Sequence, residues 1–376
     1  MILKHRVNNF EHRVGHHCES SALRDLFEFY GFPMSEALVF GLDATMGFGF
    51  FDTTEKVSFI PESEIPFFLG GKQGTIEPNS LTCRLLGISL RKQSFTSANK
   101  GWEEAIKLID ENVPLILRID MGFLPYYEFK EDYHFGGHTI TLAGYDNERN
   151  IAFVGDTDHE GFQEVSIEKL KNGRSSTYGP SFMHPKNTQY SMKSRPDGKH
   201  PPLGAGVKLA IQKVVNNMLR PSTSNVGIQG IKMFAESIKE WDKKIINLIS
   251  KSSKKVASPQ LIFDLTYGNI ETWGTGGALF RNLYVQFLEE LQNHPELKNG
   301  PRAWNTAEFK LLDDSILYIK DSAQNWTAIA ETLKDAADNF KNDCINQVNF
   351  PKLSEMAHKI VSLEEMGFKK LSKLKI

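Results

Sequence analysis

Cysteine is scarce in this chain, and long apolar runs are missing from it. The three cysteines among 376 residues, Cys18, Cys83 and Cys344, lie far apart and are odd in number. That argues against a disulfide framework and fits a reducing compartment, with the cytoplasm as the expected location. No CxxC pair occurs, so the usual structural zinc patterns are absent. No segment approaches the roughly 18 unbroken apolar residues of a membrane span. The opening "MILKHRVNNFEHRVGHHC" carries charges where a secretory signal holds its apolar stretch, so neither export nor a membrane partner is expected. A net charge of -2 and the lack of a basic stripe interleaved with aromatics speak against nucleic acid as a partner.

What remains is an ordinary globular composition, 40% hydrophobic and 24% charged, in a chain long enough for two domains. Residues 18 to 30 place Ala22, Leu23, Leu26, Phe27 and Tyr30 at helical spacing, and Gly31 with Phe32-Pro33 supplies a stop. From 34 to 90 the glycine-rich pieces "GLDATMGFGFF" and "FLGGKQGTIEP" read as loops around short apolar segments. Residues 101 to 112 look helical, and "VPLILRID" reads as a buried strand. In "HFGGHTITLAGYDNERNIAFVGDTDHEGF" two apolar runs flank a turn, which predicts a β-hairpin. The Pro-, Gly-, Ser- and Lys-rich stretch that follows marks a boundary between domains or a long surface excursion. This predicts domains at 1–180 and 205–376 with a linker at 181–204. The second domain is expected to be mainly helical, with "GALFRNLYVQFLEEL" placing Leu279, Leu283, Phe287, Leu288 and Leu291 on one broad face.

Chemistry enters with Cys18. A cysteine attacks as its thiolate, and at an ordinary pKa of about 8.5 only a few per cent is ionised at neutral pH. A helix N-terminus favours the anion through its unpaired N–H groups and dipole. An imidazole is the second device. A sequence neighbour is expected to point the wrong way along a helix or turn, which leaves His16 and His17 as solvated or packing residues and requires a distant histidine. His138, at the start of the first hairpin strand, fits. If the hairpin loop centres near Asn147, Asp156 lies across from His138; if it centres near Glu148, Asp158 does. Opposed Cβ atoms sit roughly 5 Å apart, so either carboxylate can orient the ring.

The stretches "HHCESSALRDLFEFYGFPMSEALVFGLDATMGFGFF", "VPLILRIDMGFLPYYEF" and "HFGGHTITLAGYD", together covering about residues 13 to 165, resemble the amino-terminal domain of the butirosin-biosynthesis BtrH family. That family is a branch of the papain-like, C39-peptidase-like fold. "TWGTGGALFRNLYVQFLEEL" is similar to the helical domain that follows it there. The resemblance implies an α+β fold, a papain-like domain followed by a mainly α-helical one. It also implies a cysteine-dependent acyltransferase of specialised-metabolite biosynthesis, related to the amide-forming enzyme of closthioamide assembly. Cys18 then stands at the nucleophile, His138 at the base and Asp156 at the orienting acid. The implied donor is a thioester on an acyl or peptidyl carrier protein, and the acceptor a small-molecule or carrier-bound amine. No metal or redox cofactor is implied, the phosphopantetheine arm entering with the donor. Papain-like enzymes usually carry a glutamine six residues before the cysteine. His12 stands there instead, leaving the Cys18 N–H and His12 as oxyanion donors. Arg281 and Tyr284 match the family pattern as substrate or core residues.

Rival readings use the same residues. Water in place of the amine makes the protein a cysteine peptidase or amidase, and loss of catalysis makes it a binding protein with the same fold. The cluster His12, His16, His17 and Cys18 has zinc-ligand side chains, but adjacent histidines do not readily face one metal together. "DTDHE" offers hard oxygen ligands for a divalent cation. "GTGG" before a helix lacks the lysine and Ser/Thr of a phosphate loop. Asp120 either meets a cationic amine or caps the next turn. The lysine-bearing segment from 184 to 202 offers positive charge to an acidic carrier protein.

Overall fold

The computed structural model describes residues 3–53, 65–78, 80–129, 133–193, 200, 202–251 and 257–376. In chain order the elements are β1 (Lys4–Arg6), α1 (Cys18–Phe29), α2 (Glu36–Asp43), β2 (Met46–Asp52), β3 (Phe67–Lys72), α3 (Leu81–Leu86) and β4 (Ser89–Gln93). Next come α4 (Ala98–Asp110), β5 (Leu115–Ile119), β6 (His138–Asp146), β7 (Ile151–Gly155), β8 (Phe162–Ser166), α5 (Ile167–Ser175) and β9 (Gln189–Lys193). The remainder is helical: α6 (Leu203–Leu219), α7 (Gly227–Ile238), α8 (Trp241–Lys251), α9 (Pro259–Tyr267), α10 (Arg281–Asn293), α11 (Pro295–Asn299), α12 (Thr306–Phe340) and α13 (Phe350–Leu371). The class is α+β, as expected. No helix among the described residues is long and apolar enough to cross a membrane.

The chain divides into two compact units, Met1–Val39 with Thr75–Pro201, and Phe40–Gly74 with Pro202–Ile376. In the first unit an antiparallel sheet runs in the order β4-β9-β5-β6-β7-β8, with β1 pairing β6. Helix α1 packs on β6 and β5, and α4 and α5 also lie against central strands. Every residue of β6 is buried, so its central "TITLAGY" can be apolar or neutral without regard to alternation. Helix α1 begins where Cys18 was expected to begin it. It ends at Gly31, whose φ of +85° is left-handed, with Gly31 N–H donating to Glu28 O and Phe32 N–H to Phe27 O.

Two expectations about organisation give way. The 181–204 stretch is not a linker throughout: β9 lies inside it and pairs with both β4 and β5. Residues 194–199 and 201 of it lie outside the described residues. The glycine-rich 40–74 stretch joins the helical unit instead of the amino-terminal domain, and it carries the antiparallel β2–β3 pair in place of loops. The reason is packing. Met46, Phe48 and Phe50 alternate with small residues and are fully buried. Phe50 meets Phe234 edge-on at 5.5 Å, and Phe67 of β3 stacks on Trp241 at 4.1 Å. Helix α10 is also shorter than its apolar pattern: Ala278, Leu279 and Phe280 have left-handed φ values, so Leu279 sits in the turn before the helix.

Candidate active site

His17 is the N-cap of α1, with extended backbone (φ -126°, ψ 127°), and its own side chain makes no capping hydrogen bond. Its place is fixed by Glu36 at the start of α2. One oxygen of that carboxylate accepts from His16 N–H at 2.8 Å, and the other accepts from His17 N–H and the Ser20 hydroxyl, each at 2.8 Å. Cys18 is thereby set at the first helical position, half-buried, at the backbone N–H groups of the first turn, which the His17 side chain does not cap.

β6 brings His138 to the same place. Its Nε2 meets Asp156 Oδ1 at 2.7 Å, which leaves Nδ1 for the hydrogen bond with the Cys18 sulfur. Asp156 is further held by Thr157 N–H (2.7 Å, to Oδ1) and the Tyr126 hydroxyl (2.8 Å, to Oδ2). Tyr127 donates to the exposed Asp158 at 3.1 Å and lies edge-on to His138. The choice between the two aspartates therefore falls on Asp156, for a reason that hairpin arithmetic does not contain. The β6–β7 ladder shifts register between Leu142 and Gly144 and stops at Thr141↔Gly155. Extending it straight would set Asp158 opposite His138. Instead the chain turns at Asp156, with His159 N–H donating to Asp156 O, and the Asp156 carboxylate reaches the ring diagonally.

Charge follows from this geometry. Burial opposes ionisation of the Cys18 thiol, but the His17 charge and hydrogen bonds from His138 and His17 outweigh it and bring the thiol down to about 5. Burial likewise disfavours a charged His138, yet Asp156, and then the Cys18 sulfur, raise its pKa well above the ordinary value. Asp156 is lowered against its burial by His138, Tyr126 and the Thr157 amide. These directions favour a thiolate facing an imidazolium that a buried carboxylate orients.

A family model described as butirosin biosynthesis protein H, N-terminal, matches residues 17–157, a span that takes in Cys18, His138 and Asp156. A second, described as a domain of unknown function (DUF4872), matches residues 168–371. The chain belongs to the BtrH-like family. Comparison with curated proteins returned no match.

The other expected site residues of this BtrH-like chain have different fates. His12 is not an oxyanion donor, because both ring nitrogens are occupied. Nδ1 meets Asp25 Oδ2 at 2.6 Å, while Nε2 donates to Asp156 O at 2.9 Å and His159 O at 3.1 Å. Although burial works against it, the His12 pKa is raised by Asp25 and those carbonyls. The ring thus ties α1 to the turn that carries Asp156. Gly155 must be glycine for the same reason: a Cβ there would lie 2.5 Å from His12 Cγ. Gly15 N–H donating to Thr157 O and the Ser21–Thr157 hydroxyl pair complete the join.

Asp120 is fully buried and has no position left for a substrate amine. It accepts from Gly122 N–H, Phe135 N–H, Ser176 and His134, so the turn-capping alternative accounts for it. Arg281 is equally buried, forked on Glu364 and bonded to Gly47 O and Leu279 O, and it serves the core of the helical unit. Tyr284 is buried there too, with no hydrogen-bond partner for its hydroxyl among the described residues. Nor do the described residues contain any group of three or more His, Cys, Asp and Glu side chains placed to hold a metal ion. Sequence reasoning missed His17, Glu36 and Tyr126. Only His17 left a signal, since an N-cap side chain leans back over the first turn.

Proposed function

We propose that this protein is a biosynthetic acyltransferase that moves an acyl group from a carrier-protein thioester to an amine through an acyl-enzyme on Cys18. The observation that carries the reading is the half-buried Cys18 at a helix N-terminus, beside His138, whose ring Asp156 holds at 2.7 Å; those surroundings favour the thiolate. The family's printed description, butirosin biosynthesis, supports a biosynthetic setting. In the first half-reaction the thiolate attacks the thioester carbonyl and His138 protonates the departing thiol. In the second, the amine attacks the acyl-enzyme, its proton passes to His138, and Cys18 leaves as thiolate. The Cys18 N–H at the start of the first turn is the proposed oxyanion donor. A thioester is already activated, so the cycle needs no metal, redox cofactor or nucleotide. Three free cysteines support a reducing, cytoplasmic setting. The proposed partners are an acyl or peptidyl carrier protein and an amine, free or carrier-bound.

Intact-mass analysis tests this. Wild type mixed with an acyl thioester should gain the acyl mass, an added amine should discharge it as amide, and Cys18→Ala should gain nothing. Discharge to free acid alone would make the protein a hydrolase built on the same residues. Absence of an adduct with any thioester or alkylating probe would end the enzymatic reading.

A further inference from the structure

In the cycle above His138 alternates between protonated, beside the Cys18 thiolate, and neutral, after acylation, so its hold on the sulfur changes from step to step. The geometry supplies a second ring. We propose that His17 is a second catalytic imidazole, ion-paired with Glu19, that holds the Cys18 sulfur as thiolate and leaves His138 free to exchange protons; this rests on the acyl-transfer reading of the site.

The observations are local and mutually independent. The extended N-cap backbone of His17 lets its ring fold over the first turn of α1, toward Glu19 and beside Cys18, where its charge favours the thiolate. The two oxygens of Glu36 fix the backbone on which that ring turns. His17 Nε2 lies 3.7 Å from Glu19 Oε2, and both side chains are nearly buried, at 13% and 11% exposure, so screening is weak. The other Glu19 oxygen is anchored by Ile76 N–H at 3.3 Å. The charged groups around the sulfur are thus Glu19 on α1, Glu36 on α2, His138 on β6 and Asp156 after β7. Each imidazole has its own carboxylate: Asp156 for His138 and Glu19 for His17.

This arrangement divides the labour without adding a reactant. In acylation the Cys18 S–C bond forms and the donor C–S bond breaks. The donor sulfur takes its proton from His138, which becomes neutral. In aminolysis the N–C bond forms and the Cys18 C–S bond breaks. The N–H proton goes to His138, and the electron pair returns to a sulfur that His17 receives as an anion. His17 takes no part in either proton transfer.

The test is the pH dependence of Cys18 alkylation by iodoacetamide, read by peptide mass on wild type, His17→Gln, Glu19→Gln and His138→Gln. It needs no acyl donor, so its failure is separable from failure of the transfer reading, which mass analysis with thioester and amine decides. Wild type should show a midpoint at about 5. His17→Gln should raise it by about 1–2 pH units, the usual effect of losing an opposite charge nearby. Glu19→Gln should raise it less. His138→Gln should keep a midpoint below an ordinary thiol's, because His17 remains. Profiles of folded His17→Gln and Glu19→Gln that overlay wild type would overturn the proposal. Should His17→Gln not fold, Glu19→Gln decides alone.

Discussion

Each unit buries a charged cluster, and the two clusters are put to different uses. In the helical unit Glu364, fully buried, accepts from Arg281 Nε (2.8 Å) and Nη2 (2.9 Å), from Ser322 (2.7 Å) and from Trp326 Nε1 (3.2 Å). Arg281 spends its remaining bonds on two backbone carbonyls and lies over the Phe48 and Trp326 rings. Both carboxylate oxygens are used within the unit, so nothing points to a substrate. In the sheet unit His138 and Asp156 are also buried, but they converge on a half-exposed sulfur at a helix N-terminus. Burial of charge is therefore common to both. What separates a site from a strut is bonding capacity left over, aimed at a surface a substrate can reach.

The sharpest way to break this comparison is to remove the leftover capacity. Cys18→Ala should abolish the acyl adduct and lower transfer by about 10³-fold or more while thermal unfolding stays close to wild type, measured by intact mass and calorimetry. Asp156→Asn comes next. It keeps the shape but loses the charge that holds His138 protonated and oriented, so kcat/KM should fall about 10²–10⁴-fold. Retained activity in that variant would move the orienting role elsewhere, to Asp158 by way of Tyr127.

The opposite expectation holds in the helical unit. Arg281→Met removes one partner and leaves Glu364 buried without its cation, which should cost about 3–5 kcal/mol of stability, read as a lower unfolding midpoint. The Cys18 alkylation profile of the folded fraction should remain that of wild type. If instead stability were kept and transfer lost, Arg281 would belong with the substrate and the contrast between the clusters would fail.

How much of this was legible in advance depended on the range of the interaction. Helix α1 was legible because spacing, Cys18 and Gly31 all act within one segment. The β6–β7 hairpin was legible because its turn separates two apolar runs. The Met46, Phe48 and Phe50 alternation was also present in the sequence, but the intervening glycines made it look like a loop. Only contact with Phe234 and Trp326 shows those glycines to be spacers on a strand. Asp156 could not be chosen over Asp158, because the choice depends on where the ladder ends, and His12 draws that turn in across 144 residues of sequence. Glu36 and Tyr126 act on partners 19 and 30 residues away respectively, through folding that periodicity does not encode.

The smallest expected effect is the one with an unusual sign. Tyr284 lies on α10, fully buried between Phe287 and Phe368, and its hydroxyl has no hydrogen-bond partner among the described residues. Burial pushes its pKa far above that of an ordinary phenol, so it stays neutral and takes no part in charge balance. An unsatisfied buried hydroxyl costs about 1–3 kcal/mol, whereas the ring's packing is unchanged when only the oxygen goes. Tyr284→Phe should therefore stabilise the protein by about 1 kcal/mol, seen as a higher unfolding midpoint, with acyl transfer unaltered. A loss of transfer at unchanged or raised stability would instead make that hydroxyl a substrate contact, giving the helical unit the leftover capacity that so far distinguishes the Cys18 site.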